Sequence, residues 1–113
     1  MQPDSRKYLW DAEHAAGAIA QFTSGKSWED FTHDLQLRSA VERQFEIIGE
    51  ALSQLSRVDP DLAATIPELP RIIAFRNILA HGYAIVDQSI VWKVIQENLP
   101  ELRTRLKTLL RDE

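Results

Sequence analysis

The segment RNILAHGY, residues 76–83, holds the side chains of this sequence that are best suited to chemistry. Arg76 and Asn77 interrupt an otherwise apolar run, and His81 and Tyr83 follow that run closely. Polar side chains in an apolar run cost free energy unless they are paired or have a function. We therefore interpret these four residues as one candidate site.

Their spacing predicts how a helix would arrange them. Asn77 and His81 are four residues apart and share a helical face. Arg76 lies about 140° from His81 around the helix axis, and its long side chain can span part of that angle. Since Gly82 suits the position just past a helix end, we expect His81 at a helix C-terminus and the Tyr83 phenol in the same cleft.

This set of side chains fits cleavage of an RNA phosphodiester without a metal ion, because RNA supplies its own nucleophile, the 2′-hydroxyl. We predict that His81 acts as general acid/base, since the pKa of histidine is about 6.5, and that Arg76 clamps the phosphate. Asn77 would orient the His81 ring or bind a phosphate oxygen. In-line cleavage benefits from both an acid and a base. A symmetric dimer would supply the second histidine.

A purely structural interpretation of the same residues is the alternative. His81 could cap the last carbonyls of its own helix. Arg76 could pair with a glutamate of the preceding helix, the candidates being Glu42, Glu46 and Glu50.

The other two histidines, His14 and His33, are expected at the surface or at an element boundary. Neither has a histidine or cysteine three or four residues further along the chain. Asp30 and Asp34 flank His33, but such a mixed cluster is typical of a solvated turn. We predict no metal site and no cofactor.

The composition of the chain excludes some classes of protein. Its 113 residues suit one domain, which we predict to span residues 1–113, and 44% of them are hydrophobic. It has no cysteine, which excludes disulfides, Cys-based zinc sites and a thiol nucleophile. The net charge of −4 argues mildly against a nucleic-acid binder, so an RNA site would rest on a few local arginines.

No run approaches the roughly 18 consecutive apolar residues of a membrane span. Charges occupy the N-terminal positions where a signal peptide needs an apolar core. We expect a cytoplasmic protein with no membrane contact.

The apolar pattern is helical almost throughout. We predict a first helix from about Ser5 to Phe22, capped by Asp4 or Ser5, and Trp28 and Phe31 tucked under the following turn. The inward stripe of this first helix is predicted at Tyr8, Ala12, Ala15, Ile19 and Phe22.

Three further helices are predicted with short connections. The second runs from Asp34 to Arg57, and residues 58–67 form a connector broken by prolines. The third starts near Pro67 or Glu68 and stops at Gly82. The fourth is capped by Asp87 and Ser89, is interrupted or kinked at Pro100, and continues to the end. Four or five such helices predict an all-α antiparallel bundle.

The motif of Arg76, Asn77 and His81 resembles that of the HEPN superfamily, which consists of small helical bundles. It is more similar to the HepT-like toxins, whose R-x4-H-x-Y motif is matched by Arg76, His81 and Tyr83. The similarity covers most of the chain and includes VERQFEIIGEALSQLS, residues 41–56, and VDQSIVWKVIQENLPEL, residues 86–102.

The resemblance implies a metal-independent endoribonuclease toxin that acts as a homodimer, with its active cleft between two copies of the third helix. It also implies a cognate antitoxin similar to minimal nucleotidyltransferases of the MntA type. Such a partner transfers AMP onto the motif tyrosine, here Tyr83, and silences the toxin. Phosphates added two residues from His81 would repel an RNA phosphate in the cleft.

Two other functions are compatible with the sequence. The chain could be a non-catalytic subunit that binds and presents a nucleotide or substrate to a nucleotidyltransferase. It could also be a plain helical dimerisation module, which would require Arg76 and His81 to be buried and fully paired.

Overall fold

The computed structural model describes residues 1–81 and 86–111, and within those ranges the regular structure is helical throughout. The helices are α1 Pro3–Thr23, α2 Trp28–Thr32, α3 Leu35–Val58, α4 Pro60–Ala63, α5 Leu69–His81, α6 Gln88–Lys93 and α7 Leu99–Arg111. The first, second and third predicted helices correspond to α1, α3 and α5, and two short helices, α2 and α4, lie in the connections. The predicted all-α bundle is confirmed.

The bundle is built around α1 and α3, which pack against each other along their lengths, while α7 packs on α1 and α5 packs on α3. The centre of the core comes from α3, where Phe45, Ile48, Leu52 and Leu55 are fully buried. No helix in the described ranges is both long and apolar enough to cross a membrane.

The start of α1 differs from the prediction. The helix begins at Pro3, a residue that the first turn of a helix tolerates, and neither Asp4 nor Ser5 is its N-cap. Instead, Ser5 is fully buried and its hydroxyl donates a hydrogen bond of 2.8 Å to Oδ2 of Asp59. The Ser5 hydroxyl, a predicted candidate for capping α1, therefore binds a residue distant in the sequence instead.

The buried face of α1 is also rotated relative to the predicted stripe. Ala12, Ala15 and Ile19 are buried as predicted, but Tyr8 is only half-buried and Phe22 is 37% exposed. Leu9 and Ala16 are fully buried in their place. The reason is that α1 contacts both α3 and α7, so its buried face is centred between the two neighbours.

The connection before α3 contains a helix that the sequence pattern did not predict. α2 carries a capping box, in which the Asp30 amide donates to Ser27 Oγ (3.0 Å) and the Ser27 amide donates to Asp30 Oδ2 (2.9 Å). Phe31 is fully buried as expected, whereas Trp28 is 42% exposed. Asp34 caps α3 by accepting a hydrogen bond of 3.0 Å from the Leu37 amide.

The C-terminal helix is capped as predicted and passes through Pro100. Asp87 accepts hydrogen bonds from the amide (2.9 Å) and the hydroxyl (2.6 Å) of Ser89. A π-helical turn, Val94–Asn98, links α6 to α7, and Pro100 lies in the first turn of α7. Because proline has no N–H to donate, the wider turn before it lets the helix continue.

Candidate functional site

Helix α5 carries three of the four predicted site residues, and its buried residues orient them. Leu69, Ile72, Phe75 and Leu79 face the core, and the Phe75 ring packs edge-on against Phe45 of α3 with centroids 5.0 Å apart. This anchor places Arg76, the next residue, at the flank of α5 that faces α3.

Gly49 of α3 allows this close approach of the two helices. A Cβ atom at position 49 would lie 2.4 Å from Arg76 Cβ and 2.5 Å from Arg76 Cγ. Atoms of two side chains cannot share that space, so the contact needs a residue without a side chain. The aliphatic part of Arg76 therefore lies directly on the backbone of α3.

The guanidinium group of Arg76 is held by two neighbours. Its Nη2 donates to Glu50 Oε2 at 3.0 Å, and its Nη1 donates to Asn77 Oδ1 at 3.1 Å. The other oxygen of Glu50 accepts a bond of 3.1 Å from Gln54 Nε2. Of the three glutamates considered from the sequence, Glu50 is the partner, and the Arg76 side chain keeps 31% of its surface exposed.

Arg76 lines a groove of about 670 Å³ between α1, α3 and α5. Two more ion pairs line it, Lys7 with Asp11 at 3.7 Å and Arg43 with Glu46 at 3.4 Å. Three cations and three carboxylates therefore line its walls as three ion pairs. The full lining is Lys7, Tyr8, Asp11, Arg43, Glu46, Ile47, Glu50, Ala51, Gln54, Arg76 and Ala80.

The structure joins Arg76 and Asn77 by a hydrogen bond, but His81 is not among the residues that line the groove. Asn77 and His81 are both exposed and one turn apart on α5. Ala80 lines the groove, whereas His81, the last residue of α5, does not belong to its lining. Tyr83 lies outside the described residues. A plain dimerisation module would need His81 to be buried and fully paired, whereas His81 is exposed in this structure.

The other two histidines are exposed, as expected. His14 Nδ1 lies 3.0 Å from the Trp10 carbonyl oxygen, and His33 Nδ1 lies 2.9 Å from the Glu29 carbonyl oxygen. Within residues 1–81 and 86–111, no group of three or more His, Asp or Glu side chains could hold a metal ion.

Among the residues that the structure describes, three carboxyl groups outside the groove lining have shifted pKa values. Burial raises the pKa of Glu42, and the nearby Arg38 opposes part of that shift. Hydrogen bonds from the backbone and hydroxyl of Ser27 lower the pKa of Asp30, and those from Ser89 lower the pKa of Asp87. The two lowered values reflect helix capping.

Sequence comparisons show that the chain is similar to known proteins over nearly its whole length. The model of the family described as Ribonuclease HepT-like matches residues 12–109. A Thermococcus cleftensis protein described as a probable ribonuclease HepT is 33% identical over 111 residues, which cover 96% of this chain and 98% of that protein.

Two further relatives are also similar to this chain over more than nine-tenths of its length. A candidate RNase of Methanocaldococcus jannaschii is 29% identical, with 92% of this chain and 94% of that protein covered. A candidate RNase of Caldanaerobacter subterraneus subsp. tengcongensis is 32% identical, with 96% of each chain covered. No solved structure shows a significant match.

Proposed function

This chain belongs to the HepT-like ribonuclease family, and on that premise we propose that it is a metal-independent endoribonuclease and the toxin of a toxin–antitoxin pair. The family match over residues 12–109 carries the proposal. Two features of α5 support it. Arg76 offers a partly exposed guanidinium in a charged groove, and His81 is exposed at the end of the same helix.

The proposed reaction uses these two side chains and the RNA itself. A histidine removes the proton of the 2′-hydroxyl, the 2′-oxygen bonds to phosphorus, and the bond to the 5′-oxygen breaks as that oxygen receives a proton. The products are a cyclic phosphate and a free 5′-hydroxyl. Arg76 stabilises the negative charge that develops on the phosphate. Asn77 accepts a hydrogen bond from Arg76 and so helps to hold the guanidinium group in place.

A homodimer would complete the site, because one protomer places a single histidine at the end of α5. The outer side of α5 carries exposed Ile78, 57% accessible, between Asn77 and His81. Pairing two such faces would bury Ile78 and bring two copies of His81 toward one phosphate. One histidine would then act as base and the other as acid.

The deciding experiment compares the purified wild-type chain with His81→Ala and Arg76→Ala on a mixed RNA substrate in excess chelator. We expect the wild type to cleave and both variants to lose at least about a hundredfold in rate, the scale of a lost acid–base or charge-stabilising group. His33→Ala, which removes another exposed histidine, should cleave like the wild type.

Equal cleavage by wild type and His81→Ala would contradict the proposed role of His81, and loss of cleavage in chelator would contradict metal independence. A chain that binds a nucleotidyltransferase but does not cleave RNA would instead be the non-catalytic subunit. In cells, induction of the wild type alone should arrest growth, and His81→Ala should relieve the arrest.

We further propose that an MntA-like nucleotidyltransferase silences the toxin by transferring AMP from ATP to the Tyr83 phenol, with release of pyrophosphate. Tyr83 stands two residues after His81 in the sequence. An added phosphate there would repel an incoming RNA phosphate.

The chain contains two tyrosines, which gives this proposal a matched control. Incubation with the nucleotidyltransferase and ATP should add AMP mass to the wild type and to Tyr8→Phe, but not to Tyr83→Phe. Mass spectrometry of the intact chain measures this. Modification that persists in Tyr83→Phe would refute the site.

A further inference from the structure

One stripe of α1 joins the groove to an exposed aromatic pair. Lys7, Trp10, Asp11 and His14 stand at positions i, i+3, i+4 and i+7, the spacing of one helical face. Lys7 and Asp11 line the groove that contains Arg76. Trp10 and His14 lie on the same stripe but are not among the residues that line the groove.

The two rings are stacked on each other at the surface. Their centroids are 3.5 Å apart and their planes are inclined by 22°, while His14 Nδ1 lies 3.0 Å from the Trp10 carbonyl oxygen. Trp10 is nevertheless 50% exposed, and the His14 side chain is 53% exposed. The stacked pair thus exposes a large aromatic surface to solvent in a defined orientation.

A half-exposed tryptophan ring in a fixed orientation is a good partner for a nucleobase. Bases stack on aromatic side chains with little regard to sequence, because every base has a π-face. Orienting the ring in advance reduces the entropy that binding would otherwise lose. The stripe spans seven residues, about 10 Å at 1.5 Å per residue, so a strand with a phosphate at the groove could place a nearby base on Trp10.

We propose that the Trp10–His14 pair is a base-stacking subsite for single-stranded RNA at the rim of the groove. This inference rests on the proposed ribonuclease function and adds to it a position where the substrate binds. Trp10 offers its free face to the base. His14 supports the opposite face and keeps the ring in place.

An ordinary structural role for the pair makes a different prediction. Rings four residues apart can stabilise a helix modestly, in which case only stability would depend on Trp10. If the pair is a stacking subsite, Trp10 instead contributes to RNA affinity only when the RNA carries a base that can stack on it. That contribution does not depend on the number of phosphates.

The test measures the affinity of a fluorescent, unstructured oligoribonucleotide by anisotropy, in the His81→Ala background so that the probe stays intact. Trp10→Ala should weaken binding about tenfold, the usual scale for one lost stacking contact, and Trp10→Phe should restore most of it. The salt dependence of binding should not change, because no phosphate contact is lost. Phe22→Ala is the control, since it removes another partly exposed ring from α1.

Abasic oligomers with the same number of phosphates complete the test. The difference in affinity between normal and abasic oligomers should largely disappear in Trp10→Ala. The proposal is overturned if Trp10→Ala binds like Phe22→Ala, if its effect is as large on the abasic oligomer, or if it converts a dimer into a monomer, since the pair would then belong to a protomer interface.

The outcome also separates this proposal from the proposed function. Cleavage by the wild type with an unchanged KM in Trp10→Ala would reject the subsite alone. Base-dependent binding through Trp10 without cleavage by the wild type would reject the ribonuclease and keep the subsite. A wild type that neither binds nor cleaves RNA would reject both.

Discussion

At the scale of single residues, Arg76 depends on two neighbours in α3 that serve different purposes. Gly49 provides the space for its aliphatic part, and Glu50 binds its guanidinium. Exposed ion pairs contribute little free energy, typically below about 1 kcal/mol. We therefore interpret Glu50 chiefly as a group that orients Arg76, and an RNA phosphate would compete with it for the same charge.

Gly49→Ala should destabilise the protein by up to about 2 kcal/mol. Alanine is favoured over glycine within a helix by about 1 kcal/mol, but a forced fit in a packed core costs about 1–3 kcal/mol. The clash wins because the new Cβ would lie 2.4 Å from Arg76 Cβ, an atom fixed by the backbone of α5. Denaturant unfolding measures the change, and RNA cleavage should fall as Arg76 is displaced.

Gly17→Ala is the matched control within α1. The nearest atom to a Cβ at position 17 is Arg103 Nη2 at 3.6 Å, which is an ordinary contact. Only the helix preference then operates, so this variant should be more stable by about 0.5–1 kcal/mol. Equal effects of the two alanines would contradict the close helix contact at Gly49.

At the scale of elements, local hydrogen bonds decide where several helices begin. The capping box of α2 is the clearest case, since Ser27 and Asp30 satisfy each other's amides within five residues of helix. This short helix positions Phe31 in the core. Trp92 of α6 packs on the Phe31 ring with centroids 5.1 Å apart, so the cap of α2 also supports the C-terminal helix.

Asp30→Asn should lower Tm at pH 7, and the difference from the wild type should shrink in acid. Hydrogen bonds to Ser27 lower the pKa of Asp30 in the folded state below its ordinary value of 3.8. Its stabilisation is therefore present above about pH 4 and is lost as the pH falls through the folded-state pKa. Thermal unfolding between pH 2.5 and 7 measures this.

Glu29→Gln serves as the control, because this exposed neighbour lies in the same first turn but outside the capping box. A pH-independent difference between Asp30→Asn and the wild type would mean that the carboxylate charge is not what stabilises α2.

At the scale of the whole molecule, the chain combines a negative net charge with a groove of balanced charge. The net charge is −4, and the groove pairs three cations with three carboxylates. Long-range attraction of RNA is therefore weak. We expect binding to depend on local contacts at Arg76 and on assembly of two protomers, which doubles the number of arginines near one strand.

Ile78→Glu should convert the proposed homodimer into a monomer and reduce RNA cleavage more than about tenfold. Burying a carboxylate against a second α5 would be costly, whereas in the monomer position 78 is 57% exposed and tolerates a charge. Sedimentation velocity and a cleavage assay on the same samples measure both effects.

Leu35→Glu is the matched control, since it places the same charge at a 69% exposed leucine at the start of α3. It should leave sedimentation and cleavage unchanged. A monomeric Ile78→Glu variant with full activity would contradict the shared site, and an intact dimer would place the interface elsewhere.

The sequence alone determined features that depend on neighbouring residues in the chain. Apolar spacing predicted the long helices, Asp87 was identifiable as a candidate cap, and the residues at the end of α5 pointed to the family that the comparisons confirmed. These features were predictable because helix periodicity and capping act over a few residues. The roles assigned to Arg76, Asn77, His81 and Tyr83 stay predictions.

Only the tertiary structure decided which distant residues meet. It selected Glu50 from three possible partners of Arg76, assigned Gly49 to the close contact, and directed the Ser5 hydroxyl to Asp59 instead of to its own helix. The physical reason is that such pairs depend on how the helices cross and on their rotation about their axes. Both are set by packing of the whole core, which no local pattern in the chain specifies.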